Sequence, residues 1–142
     1  MSWCHGAPGI ALARLHASTL LGDETLRDEA RTALETTRRW LEDALANGDE
    51  SACLCHGLAG NADILLDGYA SLGDHRLRDT ASMVANAGIE RYAGDPYRWP
   101  CGTYNGSTPG LMLGLAGIGR FYLRLADPTL PSILLPVRQV DA

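Results

Sequence analysis

Along residues 24–47 apolar side chains return every three or four positions, at Leu26, Ala30, Ala33, Leu34, Trp40, Leu41, Ala44 and Leu45, with charged residues between them. That spacing predicts a helix with one wet side. A second such face follows Asp74 at Leu77, Ala81, Val84, Gly88 and Tyr92. Both stretches open on Gly-Asp, which reads as a turn with Asp23 or Asp74 as helix N-cap. The preceding stretches, GIALARLHASTLL (9–21) and GNADILLDGYASL (60–72), are small or apolar on several sides and carry charge only at Arg14, Asp63 and Asp67. They are expected to form a buried inner layer backed by the amphipathic helices.

The pattern repeats. At an offset of 51 residues, CHGAPG (4–9) falls on CHGLAG (55–60), and LGDETLRDEA (21–30) on LGDHRLRDTA (72–81). A third copy, GLAGIGRFYLRLAD (114–127), is shifted by 57 and carries Met112-Leu113 where the first two carry Cys-His. Each unit reads as a helix hairpin that covers its apolar face only against its neighbours, so the chain is all-α and built of stacked hairpins. Inner helices are expected from about residues 6, 57 and 110, all within one domain over 1–142. A helix-hairpin solenoid and a closed α/α ring both fit. The glycine pairs opening the inner helices (Gly6/Gly9, Gly57/Gly60, Gly114/Gly117) serve close packing. GDPYRWPCGTYNGSTPG (94–110) is a long loop, which either lines the site with Trp99, Cys101 and Tyr104 or simply connects.

Composition narrows the setting. With 142 residues, 46% apolar and 20% charged, the chain can bury a core of its own. A net charge of −5 with one short basic run at Arg38-Arg39 argues against nucleic acid and against an anionic membrane surface. No apolar run approaches the roughly 18–20 residues needed to span a bilayer, and the N-terminus lacks a secretory pattern, so a cytoplasmic location is expected. In a reducing compartment, Cys4, Cys53, Cys55 and Cys101 are thiols or metal ligands rather than disulfide partners.

Stacking in register brings Cys4, His5, Cys55 and His56 to the same end of adjacent inner helices, a donor set suited to Zn²⁺. Four ligands make a closed structural site, three leave a position for substrate, and composition does not choose. Two side chains adjacent on a helix start diverge by about 100°, which favours two cysteines and one histidine. Buried cysteines with helix-capping histidines are the plain alternative, and Cys53 is a substitute ligand or redox partner for Cys55. His16 reads as a core histidine and His75 as solvated. Asp63 and Asp67, one turn apart, are either an acid–base pair or hydrogen-bonded to their neighbours.

SWCHGAPGIALARL (2–15), LCHGLAGNADILL (54–66) and TPGLMLGLAGIGRFYLRLADP (108–128) resemble the C-terminal part of the lanthionine synthetase C-like cyclases. The last segment, with LPSILLP (130–136), looks most like class II bifunctional lanthipeptide synthetases. The resemblance implies part of an α/α toroid with zinc on Cys4, Cys55 and His56, leaving one position for a cysteine thiol of a precursor peptide. That thiol adds to dehydroalanine or dehydrobutyrine to form a thioether ring, and His5 is the acid–base candidate. The family's other acid–base histidine and its supporting aspartate belong to earlier hairpins, so the sequence reads as a fragment. Self-association or an upstream cyclase/dehydratase polypeptide is then an expected partner. A noncatalytic zinc-binding or peptide-binding module is the competing reading. A carbohydrate-acting α/α barrel is disfavoured, since Asp63/Asp67 is the one evident inner acidic pair.

Overall fold

The computed structural model describes residues 1–48, 50–95, 98–102 and 107–135. Its elements are five helices, α1 (Ala7–Leu21), α2 (Glu24–Asn47), α3 (Leu58–Leu72), α4 (His75–Tyr92) and α5 (Leu115–Ala126), with no strand among the described residues. The hairpins are α1–α2 and α3–α4, and α3 also packs against α1, α2 and α5. The inner layer is therefore α1, α3 and α5, with α2 and α4 behind.

The Leu-Gly-Asp repeat is the corner of each hairpin. Gly22 and Gly73 end α1 and α3 at φ 64° and 69°, the left-handed geometry that closes a helix without a Cβ clash. The next residue starts the outer helix: Asp23 accepts from the N–H groups of Thr25 and Leu26, and Asp74 from that of Arg76. Such caps are each worth about 1 kcal/mol.

α3 is the central helix. Ala59, Gly60, Asn61, Ala62, Asp63, Ile64, Leu65 and Gly68 are all buried, and its neighbours supply Leu12, Leu15, Leu34, Leu41, Leu77, Val84 and Phe121. α1 fulfils the buried-layer expectation on one face only. Ile10 is 53% exposed and Leu20 and Leu21 more so, because among the described residues no inner helix packs on the other side of α1.

The third unit departs from the sequence reading in two ways. α5 begins at Leu115 rather than near residue 110, because the preceding segment folds under its start: the Leu115 N–H donates to the Thr108 carbonyl at 2.8 Å, and Gly114 is the N-cap. Among the described residues no second helix follows α5. Residues 127–135 are turn and bend, held back on α5 by Arg120 to the Pro131 carbonyl (2.6 Å) and Arg124 to that of Leu130 (3.1 Å).

Candidate metal centre

Three short segments run into the inner helices, and backbone hydrogen bonds tie them side by side. The Trp3 N–H donates to the Cys55 carbonyl (3.2 Å), and the Cys55 N–H to the Met112 carbonyl (2.8 Å). Each segment then crosses its own helix at the last glycine of the repeat. A Cβ on Gly9 would stand 2.2 Å from the Trp3 carbonyl oxygen, on Gly60 1.6 Å from that of Leu54, and on Gly117 1.9 Å from that of Leu111. In every unit this is the residue six positions earlier, so glycine fixes where the residue before Cys4, Cys55 or Met112 lies.

The outcome is a thiol pair, with the Sγ atoms of Cys4 and Cys55 4.0 Å apart. Two thiolates on a tetrahedral zinc, each at about 2.3 Å, would lie about 3.8 Å apart, so the pair fits a zinc ion nearly as it stands. Burial pushes the Cys55 thiol up, and the neighbouring Cys4 and Cys53 sulfurs push it the same way. Two thiolates side by side repel, and a divalent cation relieves that repulsion.

The two histidines differ. His5 is exposed, and its Nδ1 is hydrogen-bonded to the Ser2 hydroxyl and lies 3.8 Å from the Cys4 sulfur. His56 is half-buried and makes no hydrogen bond among the described residues. No three Cys, His, Asp or Glu side chains among the described residues already converge as a complete ligand set. An open cleft of about 700 Å³ lies on the Cys4 side of the pair, walled by Trp3, Cys4, His5, Ile10, Leu134 and Leu135.

The other cysteines are packing residues. Cys53 and Cys101 are 0% and 2% exposed in a small cluster with Ala52 and Ile118. Trp99 packs against that cluster, with its ring 5.2 Å from Tyr92 and 5.8 Å from Tyr122. This part of the loop is core, and Tyr104 lies outside the described residues. His75 is exposed against the Tyr69 ring, and His16 is half-buried on α1.

Asp63 and Asp67 form a buried ionic group with Arg124 of α5. Arg124 reaches Asp63 Oδ2 at 2.7 Å and Asp67 Oδ1 at 2.8 Å, with side chains 7%, 1% and 21% exposed respectively. The sequence reading named both carboxylates but missed the arginine, although Arg120 and Arg124 amid the apolar run of an inner helix were a signal for it. Burial raises Asp63 to about 6, against the opposing pull of Arg124, and burial raises Asp67 as well. A carboxyl whose folded pKa exceeds its unfolded one binds its proton more tightly when folded. Its contribution to stability therefore grows as pH falls from about 6 toward 4 and is lost above about 6. Urea midpoints at pH 4.5 and 7 should show this slope, and Asp63→Asn should flatten it.

Stacked helix hairpins with a thiol pair and imidazoles at the entrances to the inner helices define the class of protein. Residues 1–135 match the family described as Lanthionine synthetase C-like protein, and the chain belongs to that family. Its all-helical architecture agrees with the family's α/α toroid. The chain is also similar to the lacticin 481/lactococcin biosynthesis protein LcnDR2 of Lactococcus lactis subsp. lactis, at 28% identity over 130 residues. That match covers 82% of this chain and 13% of the relative. No described helix is long and apolar enough to cross a membrane.

Proposed function

We propose that this chain is the zinc-binding part of a lanthipeptide cyclase, acting on a precursor peptide that carries cysteine and dehydroamino acids. The observation that carries this is the thiol pair, built from equivalent positions of two repeat units and set 4.0 Å apart, with Cys4 in the wall of an open cleft. Cys4, Cys55 and His56 would hold the zinc, His56 by turning its unbonded ring toward the sulfurs. Zinc bound there lowers the pKa of a cysteine thiol so that the thiolate nucleophile exists at neutral pH.

The chain's own groups account for the remainder. The cleft along Trp3, Ile10, Leu134 and Leu135 takes the peptide around its cysteine. Addition of the thiolate sulfur to the β-carbon of dehydroalanine or dehydrobutyrine leaves an enolate, and a proton must reach the α-carbon. His5 stands beside Cys4 with its Nδ1 engaged by Ser2, and its ring, carrying a proton on Nε2, delivers that proton to the α-carbon. Activity requires a complete ring of hairpins and, for dehydration, a separate domain, more than these residues supply by themselves. The 13% coverage of the relative supports this. A zinc-binding or peptide-binding module without catalysis is the second reading for the chain by itself, and the same coverage favours it. The expected location is the cytoplasm.

Zinc per chain tests the proposal, with alanine substitutions made singly. One zinc is expected in the parent and in His5→Ala, with loss on Cys4→Ala, Cys55→Ala or His56→Ala. Loss with all four would mean a closed structural site, and a zinc-free parent would overturn the metal assignment.

A further inference from the structure

The cleft at Cys4 continues into a second one of about 380 Å³, and the two share a residue on each wall. On the α1 wall Leu12 lines both, with Gly9 on the Cys4 side and Leu15 and His16 beyond. On the other wall Leu135 lines both, with Leu134 on the Cys4 side and residues 128–132 beyond. Two walls that each pass through a common residue make one groove. The second wall is pinned, since Leu134 is 2% exposed and Arg120 and Arg124 hold the Pro131 and Leu130 carbonyls.

The chemistry changes along the groove. Its middle is apolar, at Leu12, Leu15 and Leu135, and its far end carries His16 of α1, Asp67 of α3 and Arg124 of α5. Those three stand at the same position of the three repeat units, at the offsets of 51 and 57 residues already described, so stacking in register sets them in one polar row across the inner layer.

Within that row Arg124 has little to offer a ligand. Its Nε donates to the Leu130 carbonyl and its terminal nitrogens to Asp63 and Asp67, and the side chain is 7% exposed. Asp67, 21% exposed, is the charged group that the groove reaches. Burial raises Asp67, and Asp63 to about 6, in spite of Arg124 and, for Asp63, of Arg120 as well. Asp63 Oδ1 also lacks a hydrogen-bond partner among the described residues. The two carboxylates are thus short of positive charge and of donors.

From Gly9, packed on the Trp3 carbonyl, to His16 is seven residues of α1, or about 10 Å at a rise of 1.5 Å each. An extended peptide covers that in about three residues. An apolar sleeve that ends on a carboxylate matches a lysine or arginine side chain, whose methylene stem lies along the walls while its charge meets the end. We infer that the groove is a specificity subsite, taking a lysine or arginine of the precursor peptide within about three residues of the reacting cysteine and seating its cationic head on Asp67. This rests on the peptide-cyclase reading and names the substrate feature that the site selects.

The test is fluorescence anisotropy of short labelled peptides titrated with the purified chain, zinc-loaded and after chelator. Each carries one cysteine and, about three residues from it, lysine, norleucine or glutamate. The lysine peptide is expected to bind at least about fivefold more tightly than the norleucine one, the scale of a part-exposed ion pair, with glutamate weakest. Asp67→Asn should erase the preference for lysine. Because that variant also disturbs the ionic group, Thr19→Lys is the second: it is an exposed substitution at the same end of the groove and should erase the preference by placing a cation there. Equal affinity for lysine and norleucine peptides, or binding of neither, would overturn the inference, as would a preference that survives both variants. A groove filled by a second copy would show as a dimer in sedimentation without any preference for lysine, and would overturn it too. Peptides with serine in place of cysteine separate this inference from the metal site. Zinc-dependent discrimination of cysteine from serine without a lysine preference would sink the subsite alone. A lysine preference with no zinc dependence would sink the metal assignment and leave the subsite standing.

Discussion

Gly60→Ala is expected to destabilise the chain by more than about 3 kcal/mol and, given the proposed metal site, to abolish zinc binding. A Cβ there would meet the Leu54 carbonyl oxygen at 1.6 Å and its carbon at 2.5 Å, whereas real Cβ atoms essentially never come within 3.0 Å. The obstacle is backbone of a residue that is itself fully buried, so rotamer changes cannot relieve it. Leu54 must move, and Cys55 moves with it. The cost should exceed the usual 1–3 kcal/mol of an overpacked core. Gly68→Ala is the control, because its new methyl would meet only the branch ends of Leu34 and Leu77 at 2.8–2.9 Å. It should stay within that range and keep the metal. Urea unfolding and zinc analysis on both variants decide, and a Gly60→Ala chain with parental midpoint and full zinc would refute the account.

Arg124→Met should lower stability at pH 7.5 by about 3–5 kcal/mol. It strands the buried Asp63 carboxylate and the half-buried Asp67 carboxylate, which share one cation. The loss should shrink as pH falls, because protonating Asp63 and Asp67 removes the charge that Arg124 balanced. Adding Asp63→Asn and Asp67→Asn to Arg124→Met should recover part of it at neutral pH. If Arg124→Met unfolds at the parental urea concentration, the buried ionic group contributes nothing. Because Arg124 and Arg120 also hold the Leu130 and Pro131 carbonyls, the same substitution loosens the segment leading to Leu134 and Leu135 in the cleft wall.

Features governed by neighbours in sequence were legible before the structure. The spacing of Leu26 to Leu45 marked α2, Leu-Gly-Asp marked both corners, and the offset of 51 brought Cys4 to Cys55 because identical units stack in register. What was not legible depends on partners far along the chain. Arg124 meets carboxylates 57 and 61 residues away, and no periodicity announces such a pairing. α1 looked as apolar as α3, since a pattern records which faces are greasy and not whether a neighbour exists to cover them. The start of α5 was misplaced because Gly110 and Gly114 offer similar turn signals, and only the Thr108 carbonyl taking the Leu115 N–H separates them.

The thiol pair also bears on how the chain resists unfolding. Cys4 and Cys55 stand at the two ends of a covalent loop that contains α1, the corner at Gly22 and all of α2. A cross-link there denies the denatured chain most of the conformations that loop would otherwise explore. By the closure entropy that applies to cross-links of this span, the effect is worth about 4 kcal/mol. A metal ion seated on both sulfurs would act as such a clasp, tying the first repeat unit to the second at the end of their shared core.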